Sequence, residues 1–354
     1  MSDQFVELIP MREDERIDPE TVGAFLEGKL PGAQGVPEID QFEGGKANLT
    51  YRLRYPGHEY VLRRPPLGPV APKSHDMGRE YRVLSALYSH YPLAPRAFLF
   101  NEDESIVGAP FLVMERRTGI VIRQEMPQQY LNQPDLFRRM SEAMVDALVA
   151  LHKVDYKAAG LEKLGRPDGF LERQVKGWFG RWDAAKLETN PVMEKLLLWL
   201  EENIPTSGPA ALVHNDFKLD NMMVDGDDPA RIVGVFDWDM CTLGDPLADL
   251  GSLLGYWSEA SDTDARSAFR TMPTHLPGFY DRAQVAARYG EKMGVDLTHL
   301  DYYHVFALFK LAVIVQQIYV RFVRGQTKDT RFQDYGPRVD GLVQSAWNLV
   351  ESAQ

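Results

Sequence analysis

The sequence predicts an α+β fold in two lobes, a small β-rich N-terminal one and a larger, mainly helical C-terminal one. Short runs of β-forming residues, punctuated by glycine and proline, fill the first part of the chain with one helix among them. Beyond Arg117-Thr118-Gly119, apolar residues instead recur every three or four positions. The 354 residues are 44% hydrophobic and 25% charged, enough to build both cores without a disulfide or structural metal. The division is expected near residue 117, giving lobes of 1–117 and 118–354.

Asp18-Pro19-Glu20 reads as a helix start, a capping carboxylate followed by proline at the first helical position. Val22, Phe25, Leu26 and Leu30 follow at helical spacing, with Pro31-Gly32 as the stop. Strands are expected at Ile39–Phe42, Leu49–Tyr55 and Glu59–Arg64, with Gly44-Gly45 and Pro56-Gly57 turning the chain. Met77–Tyr88 reads as a helix, and two further strands are expected at Ala97–Asn101 and Pro110–Arg116. Pro134 opens a long helix whose Phe137, Met140, Met144, Leu148 and Leu151 share one face. Met193–Leu200 is another helix, and Met222–Val224 and Ile232–Phe236 are strands joined by the Asp225–Pro229 turn. From Leu247 onward the pattern is helical, with breaks near Pro273–Pro277 and Gly290.

Composition narrows the function classes. A formal net charge of −12 argues against a general binder of nucleic acid or anionic membrane. Cys241 is the only cysteine, which favours a reducing, cytoplasmic setting. Met1 to Arg16 is acidic and polar, unlike a secretory signal. The longest apolar stretch, Val305–Val323, carries Lys310, Gln316, Gln317 and Arg321 and is expected to be a buried helix rather than a membrane span.

The strongest chemical signal is His214-Asn215-Asp216-Phe217-Lys218-Leu219-Asp220-Asn221, which reads H-x-D-x-K-x-x-N and lies close to the catalytic loop of kinases. Phosphoryl transfer needs a carboxylate to orient the acceptor hydroxyl and take its proton, a task that suits Asp216. It also needs hard oxygen ligands for Mg²⁺, which Asn221 can help supply. Lys218 offers a cation to the transferring group. The apolar strand Ile232–Phe236 then runs into Asp237-Trp238-Asp239, which puts a second metal-binding carboxylate, Asp237, at a strand end.

These motifs, with Leu243-Gly244-Asp245-Pro246-Leu247-Ala248-Asp249-Leu250, resemble the aminoglycoside phosphotransferase and choline kinase superfamily. The resemblance is closest to the branch found fused to acyl-CoA dehydrogenases. Phe42–Tyr51 and Leu148-Val149-Ala150-Leu151-His152 look like that branch too, so the similarity runs from about Phe42 to Gly325. It implies a bilobal protein-kinase-like fold with ATP and Mg²⁺ in the cleft between the lobes. Asp216 would be the catalytic base, Asn221 and Asp237 the metal ligands, His214 an orienter of the loop backbone, and Asp249 a brace behind it.

The small lobe should then supply a phosphate-gripping cation and its partner. Glu80 falls on the apolar face of its helix, where a carboxylate needs a counter-charge. Arg63 lies in the third strand, with Val61 on the same face. Kinases place lysine here; arginine keeps the charge but offers a planar fork. Gly44-Gly45 would let backbone N–H groups approach phosphates, although a plain hairpin explains two glycines nearly as well. With Asn48 beside them, and a Met114-Glu115-Arg116 hinge that rests on the resemblance alone, this completes the expected nucleotide site.

The acceptor is expected to be a small molecule with a hydroxyl: a hydroxylated acyl compound first, then an aminoglycoside, then a choline-like alcohol. No nucleic-acid or membrane partner is expected, and the sequence leaves oligomeric state open. The alternative is a kinase-shaped nucleotide-binding protein of weak or no turnover, motivated by Arg63. A protein kinase fits less well, because Trp238-Asp239 replaces Phe-Gly after Asp237 and no A-P-E-like segment follows. The cluster Arg173, Lys176, Trp178, Arg181 and Trp182 reads either as the lip of an acceptor site that holds an anionic or acyl substrate or, preferably, as a solvated helix with two tryptophans turned inward. Lys310, Arg321 and Arg324 are expected to be helix-surface charges.

Overall fold

A computed structural model describes residues 8–43, 48–66, 76–327 and 329–353. The chain forms two compact units. One comprises Met1–Val121, Asp155–Leu161 and Asn221–Cys241; the other comprises Ile122–Val154, Glu162–Asp220 and Thr242–Gln354. The chain therefore rejoins the first unit twice after residue 117.

The first unit is built on an antiparallel sheet of β1 (Leu8–Ile9), β2 (Glu38–Phe42), β3 (Leu49–Tyr55), β4 (His58–Arg64), β5 (Ala97–Asn101) and β6 (Phe111–Glu115), in the order β1-β2-β3-β4-β6-β5. Side chains alternate across such a sheet. Tyr51, Leu53, Tyr60, Leu62, Phe111 and Val113 share a core with Val22, Leu26 and Leu30 of the segment that begins with helix α1 (Pro19–Leu26). Val61, Arg63, Leu112 and Met114 alternate with them, paired Val61 to Met114 and Arg63 to Leu112.

Asp18 caps α1 as expected, its carboxylate accepting from the Thr21 N–H at 2.9 Å. The helix stops at Leu26, sooner than the Pro31-Gly32 signal implied. Gly28 takes φ +71° and turns the chain, and Leu30 reaches the core from outside the helix. Helix α2 (Met77–Leu87) buries Met77, Glu80, Val83, Leu84 and Leu87, while Tyr88 lies beyond its end and is exposed.

The second unit is mainly helical: α3 (Pro134–His152), α4 (Phe170–Ala185), α5 (Pro191–Glu202), α6 (Pro246–Tyr256), α7 (Asp264–Ser267), α8 (Arg282–Met293), α9 (Leu300–Val323) and α10 (Tyr335–Ser352). The five apolar positions expected on one face of α3 are all buried. The second unit also holds a pair of three-residue strands, β7 (Ala211–Val213) and β10 (Thr242–Gly244), and the first unit holds the hairpin of β8 (Met222–Val224) and β9 (Ile232–Val235), which lies between them in sequence. Sequence patterning did not show β7 and β10, which are too short to carry a period.

The break expected near Gly290 falls four residues later, at Gly294. Gly290 lies inside α8, where a Cβ would stand 2.7 Å from Leu297, and the helix ends at Gly294 in the left-handed region. Helix α9 is long and apolar enough to cross a membrane, but 56% of its apolar window is buried within the protein. Its Tyr303, Phe306, Phe309 and Val313 share a core with α4, α5 and α10.

Candidate active site

In the first unit, Arg63 of β4 points at two carboxylates. One arm of its guanidinium donates to Glu80 of α2; the other donates to Asp237 Oδ1 at 2.5 Å. Both Arg63 and Glu80 are buried. Burial, outweighing the Arg63 charge, pushes the Glu80 carboxyl up to about 7. The two carboxylates hold the Arg63 charge firmly in place against that same burial.

Asp237 follows β9 in the left-handed region, at φ +69°. A non-glycine residue held there costs ~1–3 kcal/mol and persists only where its surroundings fix it. The fixing is visible in its neighbour. Trp238 is fully buried, donates its indole N–H to the Val235 carbonyl at 2.8 Å and meets the Tyr91 ring edge-on. Arg79 of α2 also donates twice to the Cys241 carbonyl, at 3.0 and 2.6 Å, so the helix that carries Glu80 is tied to the turn that carries Asp237. The hairpin register brings Asn221 alongside. Met222 pairs with Val235, and the Phe236 N–H donates to the Asn221 carbonyl at 2.9 Å, one residue before Asp237. A carboxylate and an amide oxygen are hard donors that suit Mg²⁺, an ion that keeps waters and takes its remaining ligands from phosphate.

In the second unit, the loop after β7 is held from behind by Asp249 of α6. Fully buried, Asp249 accepts the N–H of His214 at 2.5 Å and that of Asn215 at 2.7 Å, and meets His152 Nε2 at 3.3 Å. The other ring nitrogen of His152 lies 2.7 Å from the Tyr289 hydroxyl. With Nε2–H directed at the carboxylate, Nδ1 accepts from the tyrosine. Burial works to raise the Asp249 carboxyl, but the His152 bond and the nearby histidines prevail and hold it below the usual carboxylate range. Asn215 is left-handed at φ +69°, and His214 Nδ1 accepts the Asp216 N–H at 3.3 Å. The loop thus has a fixed backbone.

The Asp216 carboxylate accepts the Tyr256 hydroxyl at 2.9 Å and pairs with Lys218 at 3.2 Å. Lys218 also reaches Asp220 at 3.6 Å and lies over the Tyr256 ring. Burial raises the Asp220 carboxyl, and burial followed by the Asp216 charge raises the Tyr256 hydroxyl well above its ordinary value. Tyr256 therefore stays a donor. Sequence reasoning missed it because a lone tyrosine at a helix end carries no motif.

Gly44 and Gly45 lie outside the described residues. Asn48 is buried, and among the described residues neither polar atom of its side-chain amide has a hydrogen-bond partner. Val61 and Met114 are buried neighbours across the β4–β6 ladder. The Glu115 side chain accepts the Arg96 N–H at 3.0 Å, and the Arg116 guanidinium donates to Glu59 at 2.7 Å and lies over Phe42. The side chains at the expected hinge are thus engaged within the sheet.

Trp178 and Trp182 turn inward, as the preferred reading of that helix held. Arg321 and Arg324 are exposed. Lys310 departs from expectation: it is half-buried in α9, with Nζ over the rings of Trp178 and Phe306, because α9 is covered on most sides by other helices.

Residues 38–287 match the family described as "Phosphotransferase enzyme family". Acyl-CoA dehydrogenase family member 10 of Mus musculus is 31% identical over 343 residues, covering 96% of this chain and 32% of that protein. The chain spans between about a third and less than half of the length of the curated relatives it matches. A solved structure of a candidate aminoglycoside phosphotransferase from Ralstonia eutropha JMP134 superposes with a TM-score of 0.82 at 29% identity, covering 96% of this chain and 100% of that one. A thermostable mutant of an aminoglycoside phosphotransferase, in a ternary complex with ADP and hygromycin B, superposes at 0.59 with 16% identity over 93% and 98% of the two chains, a likeness of fold alone. The sequence match over most of its length and the shared kinase-like fold agree: the chain belongs to the phosphotransferase enzyme family.

Proposed function

We propose that the protein transfers the γ-phosphate of ATP, with Mg²⁺, to the hydroxyl of a small molecule, and that a hydroxylated acyl compound is the acceptor. The observation that carries this reading is the hairpin register that sets Asn221 beside Asp237, with Arg63 on the same carboxylate. In this reading Asn221 and Asp237 hold the metal, which when bound neutralises charge on the β- and γ-phosphates. Arg63, steadied by Glu80, grips phosphate oxygens with its planar fork.

Asp216 accepts the proton of the acceptor hydroxyl as its oxygen bonds to the γ-phosphorus. The bond from phosphorus to the β–γ bridging oxygen breaks, and ADP leaves. Tyr256 and Lys218 hold the carboxylate in place, and Lys218 meets negative charge on the transferring group. The hydroxyacyl assignment is supported by similarity to chains named for acyl-CoA dehydrogenases.

Thermal unfolding with ATP tests the nucleotide half. A site with about 100-fold excess of ligand over its dissociation constant gains ~2.7 kcal/mol, a clear rise in midpoint. The rise is expected with ATP and Mg²⁺ together and much less with ATP alone; Asp237→Ala should remove the difference. No shift under any condition would sink the nucleotide reading.

Arg63→Met should weaken ATP binding by roughly tenfold or more, the scale of one lost charge-assisted contact at ~1.5–3 kcal/mol. Arg63→Lys, which cannot span both carboxylates with a planar fork, should fall between that variant and the parent in a titration of ATP. Unaltered affinity in Arg63→Met would make the cation a purely internal counter-charge.

A further inference from the structure

Two cations of the second unit share one aromatic surface and, among the described residues, have no anionic partner. Arg181 of α4 places its guanidinium carbon 4.3 Å from the centre of the Trp178 ring. Lys310 of α9 places Nζ 5.5 Å from the same centroid and 5.9 Å from that of Phe306. Among the described residues, neither side chain makes a hydrogen bond or ion pair. Asp183, the adjacent acid on α4, is engaged with Lys186 at 2.5 Å.

Like charges held on one ring repel, and an ammonium withdrawn from water without a partner is costly. Burial, with Arg181 adding to it, lowers the Lys310 ammonium below its ordinary value even though the charges of Asp249 and Asp216 reach it. A pair of cations of this kind, one half-buried and one exposed at the surface, is arranged to receive an anion from solvent. Helix packing places the pair close to Asp216: Gly255 packs against Ala307, about one turn before Lys310, and the next residue, Tyr256, donates to Asp216, so that anion belongs to the same molecule as the reacting hydroxyl.

We infer that Lys310 and Arg181, on the Trp178 ring, form an oxyanion subsite for a carboxylate or phosphate group of the acceptor. The acceptor is then an anionic hydroxy compound, and a polycation would meet like charge here. The link to the acceptor rests on the phosphotransfer reading; the oxyanion site itself does not.

The test uses matched probes: 3-hydroxybutyrate against its methyl ester, and glycerol 3-phosphate against glycerol. Binding is followed by calorimetry on the full chain with ADP and Mg²⁺ present. At least one anionic probe should bind at least tenfold more tightly than its neutral counterpart. That preference should fall at least tenfold in Lys310→Met and also in the exposed Arg181→Ala variant. Loss for the carboxylate alone, or for the phosphate alone, identifies which oxyanion the site takes.

Binding of both anions unchanged in the two variants would overturn the inference, as would no measurable binding of either anion to the parent chain. Direct binding needs no turnover, so the two readings separate. Anion binding lost in the variants of a chain that phosphorylates nothing keeps the subsite and removes phosphotransfer. Turnover of a neutral or cationic acceptor with an unaltered KM in Lys310→Met does the reverse.

Discussion

Replacing Asp216 with alanine should lower acceptor-dependent ADP formation by ~10²–10⁴-fold, the range for a positioned general base, while Mg²⁺–ATP affinity changes by less than about threefold. The expectation follows from where Asp216 stands. Its loop is set by Asp249 and His214, so deleting its side chain leaves the backbone anchors in place. Asp216→Asn keeps an acceptor oxygen but cannot take a proton and should be nearly as slow. Tyr256→Phe removes one donor from the carboxylate and should cost no more than about tenfold in kcat, the size of one hydrogen bond to a charged group. Steady-state kinetics with the nucleotide and acceptor varied separately checks all three. Full turnover in Asp216→Ala would remove the general-base assignment.

The second large effect is on stability. Asp249→Ala should destabilise the second unit by ~3–5 kcal/mol, because it strips a buried acceptor from two backbone N–H groups and from His152. Asp249→Asn retains one acceptor oxygen and should cost less. Urea unfolding followed by tryptophan fluorescence reads this directly, since Trp178 and Trp182 lie in that unit's core. The effect also has a pH signature. The folded Asp249 carboxyl is held below its unfolded value. Its contribution is therefore fully present above the unfolded pKa of ~3.9 and is lost as pH falls through the lower folded value. The stability gap between parent and Asp249→Ala should thus narrow only in strong acid. A gap that closed on raising the pH would contradict the assignment.

Much of the fold was legible because local chemistry and tertiary packing agree. Asp18-Pro19 starts α1, the apolar repeat of α3 becomes its buried face, and the alternation in β3 and β4 becomes the two sides of the sheet. Features decided by distant partners were not legible. The short strands β7 and β10 exist through each other, about thirty residues apart. Gly290 looked like a stop but is a point of close packing for Leu297.

The candidate site divides the same way. Asp216, Asn221 and Asp237 stand in a local motif with fixed spacing, so sequence alone picked them out. The left-handed turns at Asn215 and Asp237 depend on anchors elsewhere, namely Asp249 for one and, for the other, Tyr91, whose ring meets the buried Trp238. Tyr256 comes to Asp216 from forty residues away. Lys310 looked like a surface charge because it interrupts an apolar helix, and only the packing of α4 against α9 shows what it faces.

The most direct measurement is ³¹P NMR of ATP incubated with the protein, Mg²⁺ and, in turn, hydroxyacyl, aminoglycoside and amino-alcohol acceptors. A phosphomonoester resonance growing in step with ADP for at least one acceptor, and absent with Asp216→Ala, is the expected result. Spectra in which ATP persists with every acceptor, or yields only ADP and inorganic phosphate, would contradict transfer to a small-molecule hydroxyl.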